Sequence, residues 1–196
     1  MKIFIFGLGA IGSNLFVQLL KQYPEWFFVG VDYDKIEARN LRTQVYFKEH
    51  VGFKKNLSML SIGSRYVQKF NYSYWDDKIT KDTKLIGNLK TSSGDLWIDC
   101  FDNSESRKVL KSLVPKGVHL LHLGFSPLYS AECIWDETYD VPGDVDATKS
   151  DICSMTDAVG FIQSFIGLTL LNLSDWVQSD KKRNFILTSK YSLRWL

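Results

Sequence analysis

The sequence predicts an α/β fold, a mainly parallel sheet with helices on both faces, from three observations. A short apolar strand, Lys2–Phe6, runs straight into Gly7-Leu8-Gly9-Ala10-Ile11-Gly12, a G-x-G-x-x-G run, and a helical apolar pattern follows at Leu15, Leu19 and Leu20. An acid, Asp32, stands 20 residues beyond Gly12, just past a second apolar run, Trp26–Val31. Strand and helix signals then alternate through most of the chain, as they do when a parallel sheet is built from crossover units. At 196 residues, with 45% hydrophobic and 23% charged residues, the chain suits one full-sized core and is too short for two ordinary domains.

The elements follow from local chemistry. The first helix covers about Ile11–Gln22 and stops ahead of Pro24, whose ring and missing N–H end helices. Phe27–Val31 is the second strand. A polar loop with local helical turns reaches Asn40, and a helix near Lys54–Ile62 is closed by Gly63-Ser64. Arg65–Asn71 alternates apolar and polar residues and is expected to be the third strand. Tyr72–Ser93 is polar and turn-rich, with room for one short helix. Asp95–Cys100 is a buried strand, and Ser104–Leu113 a helix capped by Asn103 or Ser104. Val118–Leu123 and Ala131–Trp135 are further strands, joined by a turn at Pro127. The acid-rich stretch from Glu137 to Asp151 is a loop, long enough to suggest function. A long apolar helix, Asp157–Val177, comes next, and Asn184–Leu187 with Ser192–Trp195 form a closing hairpin.

Composition removes several function classes. A net charge of +2, with charges spread rather than blocked, gives no case for a nucleic acid or membrane partner. Met1-Lys2 leads directly into a strand that the fold needs, so no signal peptide is expected. The longest apolar stretch, Ala158–Leu173, is broken by Gln163, Ser164 and Asn172, which favours a buried helix over a membrane span. Cys100, Cys133 and Cys153 are isolated, with no C-x-x-C pair; this indicates a reduced, cytoplasmic setting and no structural zinc site. His50, His119 and His122 lack a ligand spacing, and the last two fall on opposite faces of a strand.

Each glycine of the first loop has a mechanical role. Gly7 permits the tight turn, Gly9 lets the backbone approach a phosphate, and Gly12 lets the helix pack closely on its strand. The helix N-terminus then offers free N–H groups and a positive dipole end to an anion. With Asp32 alone, this arrangement suits the ribose of NAD or FAD as well as that of ATP.

The residues that follow are more specific. Val31-Asp32-Tyr33-Asp34, Asn40-Leu41 then Gln44, Val51-Gly52 then Lys55, and Asp99-Cys100-Phe101-Asp102-Asn103 then Arg107 form an ordered set. Together with the glycine loop, this set resembles the ThiF/HesA/MoeB family of ubiquitin-activating-enzyme-like adenylyltransferases, in detail from Lys2 to about Lys111. The resemblance implies a Rossmann-like, ThiF/MoeB-like fold in which residues 1–196 are a single ATP-binding adenylation domain, with a crossover loop at about 137–152. It implies transfer of AMP from ATP to a carboxylate with release of pyrophosphate, commonly on the C-terminus of a ubiquitin-like or sulfur-carrier protein, by a homodimer using Mg²⁺.

The resemblance also implies roles. Gly7, Gly9, Ala10, Ile11 and Gly12 would line the phosphates, and Asp32 would accept from the ribose hydroxyls. Asp34 would organise the loop, while Asn40 and Gln44 would orient phosphates and the incoming carboxylate. Lys55 and an arginine would neutralise the triphosphate, and Asp102 would hold Mg²⁺. Asn103 and Arg107 would complete the nucleotide site, Arg107 by pairing with Asp102 or nearby backbone. Plainer readings stand beside these: Lys55 as a solvated lysine next to Lys54, Asp102-Asn103 as a helix cap, and Arg107 as a structural ion pair.

The chain also departs from the family pattern. Where the family has an arginine directly before the glutamine, Thr43 stands here, and Arg42 lies one residue earlier. A one-residue shift turns a side chain by roughly 100° on a helical turn. Arg39 is a second candidate. The zinc-binding C-x-x-C pairs of several relatives are absent, and no helical extension precedes the first strand. Cys153 sits where thioester-forming relatives carry a nucleophile, just before the last long helix; the plainer reading beside this is a small buried residue opening that helix, as free cysteines usually are buried. The alternatives are adenylation of a peptide, a small molecule or a tRNA base, a catalytically weakened partner-binding subunit, and an NAD oxidoreductase.

Overall fold

A computed structural model describes residues 1–80, 90–126, 130–143, 157–188, 190 and 192–196. Its strands are β1 (Lys2–Phe6), β2 (Phe27–Val31), β3 (Asn71–Trp75), β4 (Leu96–Asp99), β5 (His119–Ser126), β6 (Ser130–Trp135), β7 (Phe185–Thr188) and β8 (Leu193–Trp195). The helices are α1 (Ala10–Gln22), α2 (Lys55–Gly63), α3 (Ser104–Leu113) and α4 (Ala158–Ser179). All eight strands belong to one sheet, in the order β3-β2-β1-β4-β5-β6-β7-β8. Pairing is parallel from β3 through β5 and antiparallel from β5 through β8. The expected α/β architecture is present, with a larger antiparallel extension than a mainly parallel sheet suggests.

Burial on both faces explains the central strands. In β1, Ile3 and Ile5 join a core with Leu15 and Leu19 of α1, Met59 and Ile62 of α2, and Phe165 of α4. Phe4 and Phe6 point the other way, into a smaller core with Trp97, Val109 and Leu110, the last two from α3. A continuous apolar strand is what a parallel sheet covered on both sides requires. Among the described residues one helix, α4, is long and apolar enough to cross a membrane. Its Phe161, Ile162, Phe165 and Ile166 are buried in the core, and Gln163 donates to Asn14 of α1 at 2.8 Å, so it packs as a core helix.

The third strand lies later than expected. Arg65–Asn71 was predicted from its alternation, but β3 begins at Asn71. Val67 and Phe70 instead plug the core from irregular chain, and the Phe70 ring fills the space where a side chain on Gly63 would stand. As the edge strand, β3 has one neighbour and half-buried faces, which leaves only a weak apolar pattern. Residues 81–89, the turn at Pro127 and most of the crossover loop, 144–152, lie outside the described residues.

The topology places the candidate site. Strand order reverses at β1, which has β2 on one side and β4 on the other. The loops leaving the C-terminal ends of β1, β2 and β4 therefore meet at one edge of the sheet, where open α/β sheets bind ligands.

Candidate nucleotide-binding site

The glycine loop is built around two contacts that tolerate no side chain. Gly7 has φ +89°, and a Cβ there would meet the Cys100 carbonyl oxygen at 2.9 Å. A Cβ on Gly12 would stand 1.9 Å from the Gly7 carbonyl oxygen, so the first turn of α1 sits directly on the loop. Gly9 is different: a Cβ there would meet nothing within 4 Å. Gly9 precedes α1 with no side-chain cap and no acid in the first turn. The first N–H groups of a helix have no intrahelical partner, so this end can receive an anion.

Asp32 extends the site from β2. It is 8% exposed, and its two carboxylate oxygens accept from the Leu8 N–H at 2.7 Å and the Asp34 N–H at 2.8 Å. Burial raises the Asp32 pKa above the ordinary carboxylate value, while the Lys55 charge and the two N–H donors work against the rise. Asp32 thus joins the glycine loop to the loop after β2.

Lys55 arrives from α2. Gly52, at φ +90°, turns the chain so that its N–H reaches the Ile36 carbonyl, and the Lys55 N–H reaches the Asp34 carbonyl at 3.0 Å. The Lys55 ammonium, 8% exposed, lies 3.0 Å from the Asp34 carboxylate, whose side chain is half exposed. Its neighbour Lys54 turns away to Tyr33 and Asp76. Asp32, Asp34 and Lys55 are therefore brought together beside the glycine loop.

The 40–47 segment closes the other side. The Asn40 side-chain oxygen accepts from the Glu37 N–H at 2.9 Å, capping the short 3₁₀ turn Ala38–Arg42. The Gln44 side-chain oxygen is buried with no hydrogen-bond partner, an arrangement that a ligand donor would relieve. Thr43 is buried and its carbonyl accepts from Asn14 at 2.8 Å, whereas Arg42 is exposed. Position 43 is thus buried, and the arginine stands at the exposed position before it. Arg39 pairs with Glu37 at 2.8 Å.

Asp102 and Arg107, the latter expected to pair with Asp102 or nearby backbone, have different partners. Asp102 is exposed, with the Asn103 amide donating to it at 3.3 Å, and Asn103 caps α3 by accepting from the Ser106 N–H at 2.8 Å. Mg²⁺ commonly binds through one or two carboxylates plus phosphate and water. Asp102 fits that use, and no group of three potential metal ligands occurs among the described residues.

Arg107 pairs with Asp99 and with nearby backbone. The guanidinium, 6% exposed, donates to Asp99 at 3.4 Å, Tyr139 at 3.2 Å, the Leu123 carbonyl at 2.7 Å and the Phe101 carbonyl. Gly124 leaves the room it needs, since a Cβ there would be 2.9 Å from the guanidinium. Burial opposes the charge, but Asp99, with Tyr139 and Glu132 nearby, outweighs it and raises the Arg107 pKa. Asp99 also bonds His122 at 2.8 Å, His122 reaches Asp136 at 3.2 Å, and Tyr139 stacks on the imidazole at 3.8 Å. Motif spacing does not find this network. The available signal is a buried acid and a buried histidine inside apolar strands, which need polar partners.

The cysteines divide clearly. Cys153 lies outside the described residues. Burial pushes the Cys133 thiol up to about 12 and the Cys100 thiol well above its usual range, which disfavours either as a thiolate nucleophile.

A family model described as the ThiF family matches residues 1–172. No curated protein gives a sequence match. Among solved structures, E. coli MccB with AMPCPP and MccA superposes with a TM-score of 0.77 at 16% identity, covering 100% of this chain and 62% of that one. The microcin C7 biosynthetic enzyme MccB in complex with N-formylated MccA gives 0.76 at 17% identity, covering 100% and 64%. PaaA gives 0.75 at 17% identity, covering 100% and 63%. The chain thus spans less than two thirds of the length of these structures, and the likeness is one of fold.

Proposed function

Because the chain belongs to the ThiF family, we propose that it is an ATP-dependent adenylyltransferase that joins AMP to a carboxylate and releases pyrophosphate. The observation that carries this reading is the meeting of Asp32, Asp34 and Lys55 beside an uncapped glycine loop. The carboxylate oxygen attacks the α-phosphorus, and the bond to the bridging oxygen of the β-phosphate breaks. Both reactants are anions, so the step needs fixed positive charge where they meet. The α1 N-terminus and the Lys55 ammonium supply it. The carboxylate of Asp32 accepts the ribose hydroxyls, and the unpartnered Gln44 oxygen takes a donor from the bound ligands. Asp102 would hold Mg²⁺, which neutralises phosphate charge when bound. Arg42, or Arg39, completes the triphosphate contacts.

The substrate we favour is the C-terminus of a ubiquitin-like or sulfur-carrier protein. A peptide carboxylate is the second reading, supported by the pairing of MccB with MccA among the structural neighbours. The same reading takes residues 1–196 as one adenylation domain, working as a cytoplasmic homodimer, with Cys153 as a thioester nucleophile if the carrier is passed on. Exchange of radiolabelled pyrophosphate into ATP tests it. We expect exchange that requires Mg²⁺ and a carrier or peptide with a free C-terminal carboxylate. ATP binding without carboxylate-dependent exchange on either class would overturn it.

The glycine loop gives a sharper check. Gly9→Ala adds a methyl group pointing into open space, so thermal unfolding should change by no more than about 1 kcal/mol. Calorimetric ATP affinity should fall by at least about tenfold, the loss of one good hydrogen bond to a charged group. Unchanged affinity would mean that phosphates bind elsewhere.

A further inference from the structure

We propose that Tyr46 is a positioning residue that aims the Gly9 N–H at the nucleotide phosphates; the inference rests on the nucleotide-site reading above. Tyr46 is 4% exposed, and its hydroxyl donates to the Leu8 carbonyl at 2.8 Å. The Leu8 N–H is already committed to Asp32 at 2.7 Å. Leu8 is therefore held at both ends, by the acid after β2 on one side and by the 40–47 segment on the other.

The consequence follows from peptide geometry. A trans peptide sets the C=O of one residue and the N–H of the next in opposite directions, and the described chain has no cis bonds. Holding the Leu8 carbonyl toward Tyr46 turns the Gly9 N–H away from it. The surroundings of Gly9 leave room for a ligand, since a Cβ there would meet nothing within 4 Å. Without the hydroxyl, the Leu8–Gly9 peptide plane is free to rotate, and its donor loses its aim. Burial raises the Tyr46 phenol well above its usual pKa, so the hydroxyl stays protonated and donates across the neutral range.

The effect can be isolated. The 40–47 segment keeps other ties to α1 when the hydroxyl is removed: Asn14 to the Thr43 carbonyl at 2.8 Å, and the Val45 N–H to Ser13 at 3.4 Å. Tyr72 is a control, a partly buried tyrosine whose hydroxyl donates to the Asn56 carbonyl at 2.7 Å, away from the glycine loop.

The test compares calorimetric binding of ATP, inorganic pyrophosphate and adenosine to the wild type, Tyr46→Phe and Tyr72→Phe. For Tyr46→Phe, affinity for ATP and pyrophosphate should fall about tenfold, the loss of one aimed hydrogen bond to an anion, while adenosine affinity stays within about twofold. Tyr72→Phe should leave the ratio of ATP to adenosine affinity unchanged. Equal losses for ATP and adenosine in Tyr46→Phe, no loss for either, or the same selective loss in Tyr72→Phe would overturn the role of Tyr46. A second readout needs no variant: in ¹⁵N-labelled wild type, pyrophosphate should shift the Gly9 amide resonance more than that of Leu8, and a stationary Gly9 overturns the proposal. A wild type that binds neither ATP nor pyrophosphate brings down the nucleotide-site reading, and the role of Tyr46 with it. Binding by the wild type with an unselective variant removes only the role of Tyr46.

Discussion

Lys55→Ala should lower carboxylate-dependent pyrophosphate exchange by on the order of 100- to 1000-fold, the loss that follows removal of one preorganised charge-stabilising group. The melting temperature should move by only a few degrees. Its ion-pair partner Asp34 is half exposed, and such pairs contribute roughly 0–1 kcal/mol to folding. Activity and stability therefore separate at this position, and measuring both decides between a reacting-site lysine and a merely packed one. The pH response should change as well. The Lys55 charge opposes the upward shift that burial imposes on Asp32, so its removal raises that carboxyl further. Protonation removes an acceptor for the ribose hydroxyls, so nucleotide affinity is present at neutral pH and lost on acidification. The loss should begin at a higher pH in Lys55→Ala than in the wild type. Folding without nucleotide runs in the opposite sense. An acid whose folded pKa lies above its unfolded value favours the folded state at low pH, and that contribution disappears as pH rises through the folded value.

Arg107→Ala should act almost wholly on stability. The guanidinium holds Asp99, Tyr139 and the carbonyls of Phe101 and Leu123 in a buried cluster. Deleting it leaves a buried carboxylate and two carbonyls short of partners, at a cost of about 3–5 kcal/mol. At roughly 2–4 °C per kcal/mol for a chain of this size, melting should fall by about 6–20 °C. Arg107→Lys should recover less than half of the loss, because an ammonium cannot reproduce the planar fork that reaches four acceptors. ATP affinity per folded molecule should stay the same. Lost affinity with unchanged melting would place Arg107 in the nucleotide site instead.

Legibility in the sequence followed how local each signal is. Phe27–Val31 and Ser104–Leu113 emerge with the predicted bounds, because an apolar run and a helix with an asparagine cap are written within a few residues. The third strand was misplaced because an edge strand buries too little to force a pattern, while Val67 and Phe70 supplied a stronger one nearby. Asp32, Asp34 and Lys55 were named from motif order, and their meeting depends on the short bridge between Lys35 and Lys54. For Arg107 the sequence leaves three partners open, Asp102, nearby backbone or a structural ion pair, and burial decides among them. Asp99 and Asp102 are both within reach in sequence, but only Asp99 sits inside the sheet, where a guanidinium with carbonyl partners can be buried. Contacts such as Tyr46 with Leu8, or Arg107 with Tyr139, join positions 38 and 32 residues apart and leave no periodic trace.

The position of β1 at the reversal of strand order has a consequence for biosynthesis. On one side β1 pairs with Phe27–Val31, made soon after it, but its other partner is Leu96–Asp99. At about 5–20 residues per second, several seconds separate the synthesis of those two neighbours. Throughout that interval Ile3–Phe6, apolar on both faces, keeps one backbone edge without its native partner. A strand buried on both faces in the finished molecule is thus the nascent chain's longest-standing open edge.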